Sequence, residues 1–169
     1  KRRLIIIRPG VVFGKHEKGN FTRLINSLSK GYFFYPGRKD TLKGCIYVKD
    51  LVELMINRVL EAKVGVEIIN ASYHPSPKIS KIVKTIKFFT KSKSHTIILP
   101  SKLLFLASRV LYSLFGLKSF HPNRIKKLMI SNDINGEKMN SLIHPKYELE
   151  LGIKDWLEET NYSQNKKVY

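Results

Sequence analysis

The chain has 169 residues, enough for one domain or a large piece of a bigger one, and its 43% hydrophobic and 11% aromatic content excludes wholesale disorder. A single cysteine, Cys45, excludes an internal disulfide and a cysteine-based zinc cage and fits a reducing compartment, while the five histidines (His16, His74, His95, His121, His144) have no metal-ligand spacing, so no metal site is expected. Thirty-one Lys and Arg against 13 Asp and Glu give a net charge of +18, a field that attracts nucleic acid, acidic membranes and phosphorylated small molecules alike. The basic residues are scattered, with no run of five or six forming a tail, so a solvated basic face is the expected reading.

The chain opens Lys-Arg-Arg and runs directly into the apolar residues 4–7, Leu-Ile-Ile-Ile. Four apolar residues followed by Arg8-Pro9 are too few for a signal peptide, and the start reads as a chain cut just before a buried strand. Residues 4–7 and 66–69 (Val-Glu-Ile-Ile) are short β-branched runs of the kind found in parallel strands covered on both faces. Between them lie a helix over 20–29, a brief aromatic strand over 32–35, a strand over 45–48 and a helix over 50–62 that Asp50 can N-cap. Leu51, Val52, Leu54, Met55, Ile56, Val59 and Leu60 give that last helix a broad apolar face.

Pro75 and Pro77 then break the chain before a helix over 77–91, with Ile79, Ile82, Val83, Ile86 and Phe89 on one face and lysines 78, 81, 84, 87 and 91 fanned across the other. Residues 96–100 are extended and 101–115 form a third strong helix, its apolar positions spanning about half of the helical wheel. Packing against the rest of the protein is expected for that helix, with an interfacial membrane position as the alternative; it is too short and interrupted to span a bilayer. Residues 123–130 read as helical, 131–138 as a polar loop with Gly136, and 148–159 as a final helix carrying Trp156. Two doubly covered strands are too few for a sheet, so the edge offered by residues 4–7 implies a neighbouring strand that the sequence does not contain.

Residues 7–14 read I-R-P-G-V-V-F-G. This resembles the R-P-x-x-V-[YF]-G segment of extended short-chain dehydrogenases, the NAD-dependent epimerase/dehydratase family. Further matches follow in order: G-N-F-T-R-L at 19–24, Y-P-G at 35–37, K-G-C-I-Y-V-K-D-L at 43–51 and V-E-I-I-N-A at 66–71. The resemblance covers essentially the whole chain, most strongly its first 75 residues, and is closest to bacterial nucleotide-sugar epimerases. It implies an α/β fold, the C-terminal part of a Rossmann-type parallel sheet (residues 1–75) plus a mostly helical substrate-binding lobe (residues 76–169).

The resemblance further implies NAD or NADP as the cofactor of the intact enzyme and a nucleotide-sugar, foremost a UDP-sugar, as substrate. The implied partners are a missing N-terminal half and a second copy in a homodimer, with no specific nucleic acid. The implied location is cytoplasmic, with peripheral membrane contact as the alternative. The family's Gly-x-x-Gly-x-x-Gly loop is absent from this sequence, and its Tyr-x-x-x-Lys pair is absent from the expected place upstream of Leu4; Tyr35-x-x-x-Lys39 has the spacing but falls after the R-P-x-x-V-F-G segment on a turn with Pro36 and Gly37, where a helical pair cannot form. That leaves no phosphate cradle and no base for the sugar hydroxyl proton, and makes the chain catalytically incomplete.

Carried over residue by residue, Pro9, Gly10, Val11 and Val12 stand beside the nicotinamide, and Arg8, Asn20, Lys43 and Lys138 contact the substrate. Each has a structural reading beside the functional one. Pro9-Gly10 is also an ordinary strand exit, Arg8 can serve a structural partner, and Asn20 is a good N-cap for the helix after it. Lys43 stands where the family usually has an arginine that grips the diphosphate, a role lysine fills as a point charge rather than a bidentate fork. The rival to the whole reading is a non-catalytic basic domain that binds nucleic acid or an acidic membrane surface.

Overall fold

The computed structural model describes residues 2–61, 63–115, 126 and 129–160. In chain order its elements are β1 (Arg3–Pro9), β2 (Val11–Phe13), α1 (Asn20–Ser29), β3 (Tyr32–Pro36), β4 (Cys45–Tyr47), α2 (Val48–Glu61), β5 (Gly65–Ala71), α3 (Ile79–Thr90), β6 (His95–Leu99), α4 (Ser101–Phe115), α5 (Glu137–Leu142) and α6 (Glu148–Glu159). Every strand pair is parallel: β1 with β5, β2 with β4, and β3 with β6. Parallel pairs need crossover connections, and the intervening helices supply them, so the α/β class expected from the sequence is the class observed. The helix expected over 123–130 falls almost wholly outside the described residues.

The core forms where helical periodicity meets the short central strand. α1 buries Phe21, Leu24, Ile25 and Leu28, and α6 buries Leu149, Ile153, Trp156 and Leu157, each set at the spacing of one helix face. All three residues of β4 are fully buried. Phe13 stacks on Phe21 at 4.5 Å between ring centres and lies 5.3 Å from Tyr47 and 6.2 Å from Trp156. Gly152 lets α6 close on β4, because a Cβ there would stand 2.9 Å from Tyr47. The Tyr47 hydroxyl donates to Asp155 at 2.5 Å, and Lys49 joins Asp155 and Glu159 at 2.6 and 2.9 Å. Burial pushes the Asp155 carboxyl up, but hydrogen bonds from Lys49 and Tyr47 outweigh it and hold its pKa below the usual value.

Asp50 does not cap the helix in which it stands. α2 begins two residues earlier, at Val48, and Asp50 lies fully buried in its first turn. Its carboxylate accepts a hydrogen bond from the Tyr73 hydroxyl at 2.6 Å and from the backbone N–H groups of Tyr147 and Glu148 at 3.1 Å each. Those two N–H groups open α6, so an aspartate on one helix caps another, where the helix dipole favours negative charge. The Tyr73 hydroxyl in turn accepts from the Tyr47 N–H at 3.1 Å. Burial, and then the bond to Asp50, raise the Tyr73 pKa, which keeps the hydroxyl protonated as a donor.

The β1–β5 pair departs from the expectation of strands covered on both faces. The register sets Ile5 against Glu67 and Ile7 against Ile69 on the covered face, and Leu4 against Val66 and Ile6 against Ile68 on the other. On that second face Leu4, Val66 and Ile68 are 54%, 69% and 44% exposed. α2 has the same imbalance, with Leu54 buried while Val52, Met55, Ile56, Val59 and Leu60 stand exposed. Glu67, the one charge in the β5 run, is matched by Arg58 of α2 at 3.9 Å and Lys138 of α5 at 3.3 Å. Lys138 also donates to the Ile68 carbonyl at 2.9 Å, and the Asn70 side chain donates to the Asn135 carbonyl at 3.1 Å, so the segment leading into α5 latches the outer edge of β5. β1 has no strand partner other than β5 among the described residues.

α4 differs from expectation as well. It forms over the expected residues but makes no extensive contact with any other described element, and among its described side chains the buried one is the polar Ser108. Two stability predictions follow from the buried network and the open face. Asp50→Ala strands the Tyr147 and Glu148 N–H groups at about 1–3 kcal/mol each, while the Tyr73 hydroxyl can still donate to the Glu148 carbonyl at 2.9 Å; it should cost roughly 2–5 kcal/mol, and Tyr73→Phe about 1–2, both read from urea midpoints. Ile56→Lys with Leu60→Lys should change stability by no more than about 0.5 kcal/mol per site while reducing self-association in sedimentation runs.

Candidate functional site

The carboxyl end of β1 is built around two glycines that touch. β1 runs beside β5 as far as Pro9, and the Gly10 N–H still donates to the Ala71 carbonyl at 2.9 Å. The next N–H, that of Val11, donates to the Gly44 carbonyl at 2.9 Å, and from there β2 pairs with β4. A Cβ on Gly10 would stand 2.8 Å from the Gly44 carbonyl carbon and oxygen, so the change of partner needs glycine at this point. Gly44 is crowded in turn: its N–H donates to the Asn132 carbonyl at 2.7 Å, and a Cβ on it would meet Ile134 at 2.8 Å. Three distant segments therefore cross at one place.

Lys43 stands at this crossing. Its backbone N–H is anchored to the Pro77 carbonyl at 2.9 Å, and its ammonium donates to the Ile130 carbonyl at 3.0 Å. Burial, then the nearby positive charge of Arg38, lower its pKa from the ordinary lysine value. Arg38 reaches the same strip of chain by donating to the Ser131 hydroxyl at 3.0 Å, with Asp40 beside it at 3.4 Å. Lys43 and Arg38 thus set two cationic heads against residues 130–131, an arrangement suited to an anion with several oxygens. Arg38 is absent from the sequence-derived set; Y-P-G-R-K-D gives no signal that separates it from its basic neighbours.

The other expected site residues divide. Arg8 and Pro9 are exposed at the end of β1, Arg8 in register with Asn70 of β5, so both lie at the carboxyl edge of the parallel pair. Val12 pairs with Ile46 inside the β2–β4 ladder. Asn20 is the exposed first residue of α1 rather than its N-cap: Gly19 takes that position, and the Glu17 carboxylate accepts from the Thr22 N–H at 2.8 Å and the Thr22 hydroxyl at 2.6 Å. Lys138 is occupied by Glu67 and the Ile68 carbonyl, a latch on the sheet rather than a neighbour of Lys43. The structure therefore brings Gly10, Val11 and Lys43 together through Gly44 and leaves Asn20 and Lys138 elsewhere.

On its other side the segment that anchors Lys43 lines a cleft of about 580 Å³ bordered by His74, Lys78, Lys84, Asn140 and His144. Cys45 is fully buried and burial pushes its thiol up to about 12, which removes it as a nucleophile at neutral pH. Among the described residues no three His, Cys, Asp or Glu side chains converge to hold a metal ion. For a dinucleotide the fit is partial. Pro9 offers an exposed wall at the strand end, but the space that Gly10 leaves open is filled by the backbone of Gly44, so this glycine contact is not a pyrophosphate cradle. The crowding at Gly10 is testable: Gly10→Ala should destabilise the chain by about 1–3 kcal/mol, measured as a lower denaturation midpoint, because the clashing atoms belong to backbone.

No family model matches the chain. It is 26% identical over 145 residues to the N-acetyl-alpha-D-glucosaminyl-diphospho-ditrans,octacis-undecaprenol 4-epimerase of Escherichia coli O157:H7, covering 83% of this chain and 44% of that protein. Among solved structures, the UDP-N-acetylglucosamine 4-epimerase of Bacillus cereus superposes with a TM-score of 0.65 at 12% identity, covering 93% of this chain and 48% of that one. The UDP-glucose 4-epimerase of Thermotoga maritima, solved with UDP-glucose, gives 0.64 at 16%, covering 95% and 47%. The dTDP-glucose 4,6-dehydratase of Bacillus anthracis, in complex with NAD, gives 0.60 at 14%, covering 95% and 45%. These structures share the fold, and the chain spans about half the length of each relative. The chain thus resembles one epimerase in sequence and shares the fold of solved nucleotide-sugar epimerases and a dehydratase, over about half the length of the relatives it matches.

Proposed function

We propose that the chain is the C-terminal, substrate-binding portion of an NAD(P)-dependent enzyme that epimerises or dehydrates a nucleotide-sugar, and that residues outside it complete the catalytic site. In this reading residues 1–75 finish the parallel sheet, residues 76–169 form the substrate lobe, and the open faces of β1 and α2 receive the completing half. The observation that carries it is Lys43, held beside Arg38 at the crossing of Gly10 and Gly44, at the carboxyl ends of parallel strands. Ligands of open α/β sheets bind at that edge. A lysine half-buried against carbonyls and a second cation gains from an anion that neutralises both.

The substrate group that suits this pair is the diphosphate joining a sugar to its carrier. The names of the relatives support that choice, since UDP-sugars and an undecaprenol-linked sugar have the diphosphate in common. Lys43 and Arg38 would orient the diphosphate, and this half would close over the nucleotide-sugar and set which sugar is accepted. The Tyr-x-x-x-Lys pair that would take the hydroxyl proton, and the glycine-rich turn that would hold the pyrophosphate of NAD(P), are to be sought in that completing half. The bound cofactor would accept and return hydride; the contribution of this chain is to bind and to exclude water.

Because the diphosphate is held equally before and during reaction, loss of one contact should weaken binding more than turnover. In an enzyme completed by an N-terminal half with both motifs, Lys43→Ala should raise KM for the sugar nucleotide by roughly ten- to a hundredfold, the worth of a charge-assisted hydrogen bond of about 1.5–3 kcal/mol. The kcat should change much less, and Lys43→Arg should keep most of the affinity. Equal effects from Lys39→Ala and Lys43→Ala would reduce the site to a diffuse basic surface, and no effect at Lys43 would remove the reading.

A further inference from the structure

Between Glu67 and Asp133 the chain has ten lysines and two arginines and not one acidic residue. α3, β6 and α4 all lie on this run. All 13 acidic residues lie outside this run, where Lys49, for one, pairs with Asp155 and Glu159. Among the described residues of the acid-free run, the one lysine or arginine pair with an acid is made from outside, Lys81 of α3 reaching Glu150 of α6 at 3.3 Å.

The same run holds a set of exposed apolar side chains: Phe88 at the end of α3, Ile97 on β6, and Leu103 and Leu106 on α4. On α4 the arrangement is ordered. Leu103, Leu106 and Ala107 share one outward flank, with Leu103 and Leu106 56% and 63% exposed, while Ser108 is turned in and buried. Lys102 and Arg109, seven residues apart and both exposed, lie along one margin of that flank. An amphipathic helix that packs on its own protein turns its leucines inward; this one turns Leu103 and Leu106 to solvent beside Lys102 and Arg109. No helix of the described residues is long and apolar enough to cross a membrane.

We propose that α4, together with the lysine-bearing α3 that precedes it, docks on the surface of a bilayer rich in anionic lipid. The leucines enter the boundary between headgroups and acyl chains, and Lys102 and Arg109 extend their stems along the helix so that their charges reach the lipid phosphates. The surrounding lysines add long-range attraction to a negative surface and meet no acid on the run to cancel it. Nucleic acid would use the charge but not the leucines. The proposal stands apart from the enzymatic reading, since it uses none of the residues around Lys43.

The test is co-sedimentation of the 169-residue chain with vesicles of pure phosphatidylcholine, or of phosphatidylcholine with phosphatidylglycerol added to about 30%, at physiological salt. Background is set by runs without vesicles. Binding should be roughly tenfold or more stronger on the anionic vesicles, and Leu103→Glu with Leu106→Glu should lower it by roughly tenfold or more with the melting temperature unchanged, both residues being exposed. Ile56→Glu with Leu60→Glu, an equally apolar pair on α2, should leave vesicle binding intact. Three results would overturn the proposal: equal binding to neutral and anionic vesicles, equal losses from the α2 and α4 pairs, or an α4 pair variant that binds vesicles like the parent and is displaced equally by single-stranded RNA.

Discussion

A carboxylate removed from water must be matched donor for donor, and Asp50 is matched by three groups from two other parts of the chain. Tyr73 follows β5, while the N–H groups of Tyr147 and Glu148 open α6. Meeting that one requirement fixes the start of α2, the exit of β5 and the entry of α6 relative to each other. β4 ends just before Asp50, and the Tyr73 hydroxyl also takes the Tyr47 N–H, so the central strand is held by the same group. The aromatic contacts of Phe13, Tyr47 and Trp156 and the Gly152–Tyr47 approach then have only one way to close. Apolar burial supplies most of the energy of such a core, but it is tolerant of direction; the buried carboxylate is not.

The candidate site inherits its precision from this frame. Gly10 and Gly44 meet backbone to backbone because β1, β4 and the segment 132–134 are each tied down elsewhere. Lys43 follows as a consequence: with its N–H on Pro77 and its ammonium on Ile130, it has little freedom to leave the crossing. Arg38 is held less firmly, through a serine hydroxyl and an exposed ion pair, which suits a second cation that adjusts to the anion bound.

How much could be read from the sequence depended on whether the controlling interaction was local. α1, α3, α4 and α6 were legible because their apolar spacing repeats over ten or more residues, and β1 and β5 because β-branched runs admit few other readings. β2 and α5, with three and six residues, are too short to carry a period. Asp50 looks like an N-cap from its neighbours, and only donors 97 and 98 residues away show what it caps. Periodicity marks α4 as two-sided without saying which side faces the body. Coverage of β1 and β5 is likewise a property of what lies next to them and not of their own residues. For the site, resemblance alone singles out Lys43 among the many lysines, whereas the ion pair that ties Lys138 to Glu67 spans 71 residues and no local pattern reveals it.

The latch on β5 has a geometric consequence for assembly. Lys138 and Asn135 close one side of the β1–β5 ribbon, and along β1 no further strand pairs among the described residues. A ribbon with two open sides can add copies without limit and grow into a fibril. A ribbon with one can add a single neighbour: a strand of another polypeptide, or the β1 of a second copy turned about a two-fold axis, after which both outer margins are sealed. Edge-to-edge association through the β1–β5 ribbon is therefore bounded at two, by the Lys138 and Asn70 hydrogen bonds on the side where no joining happens.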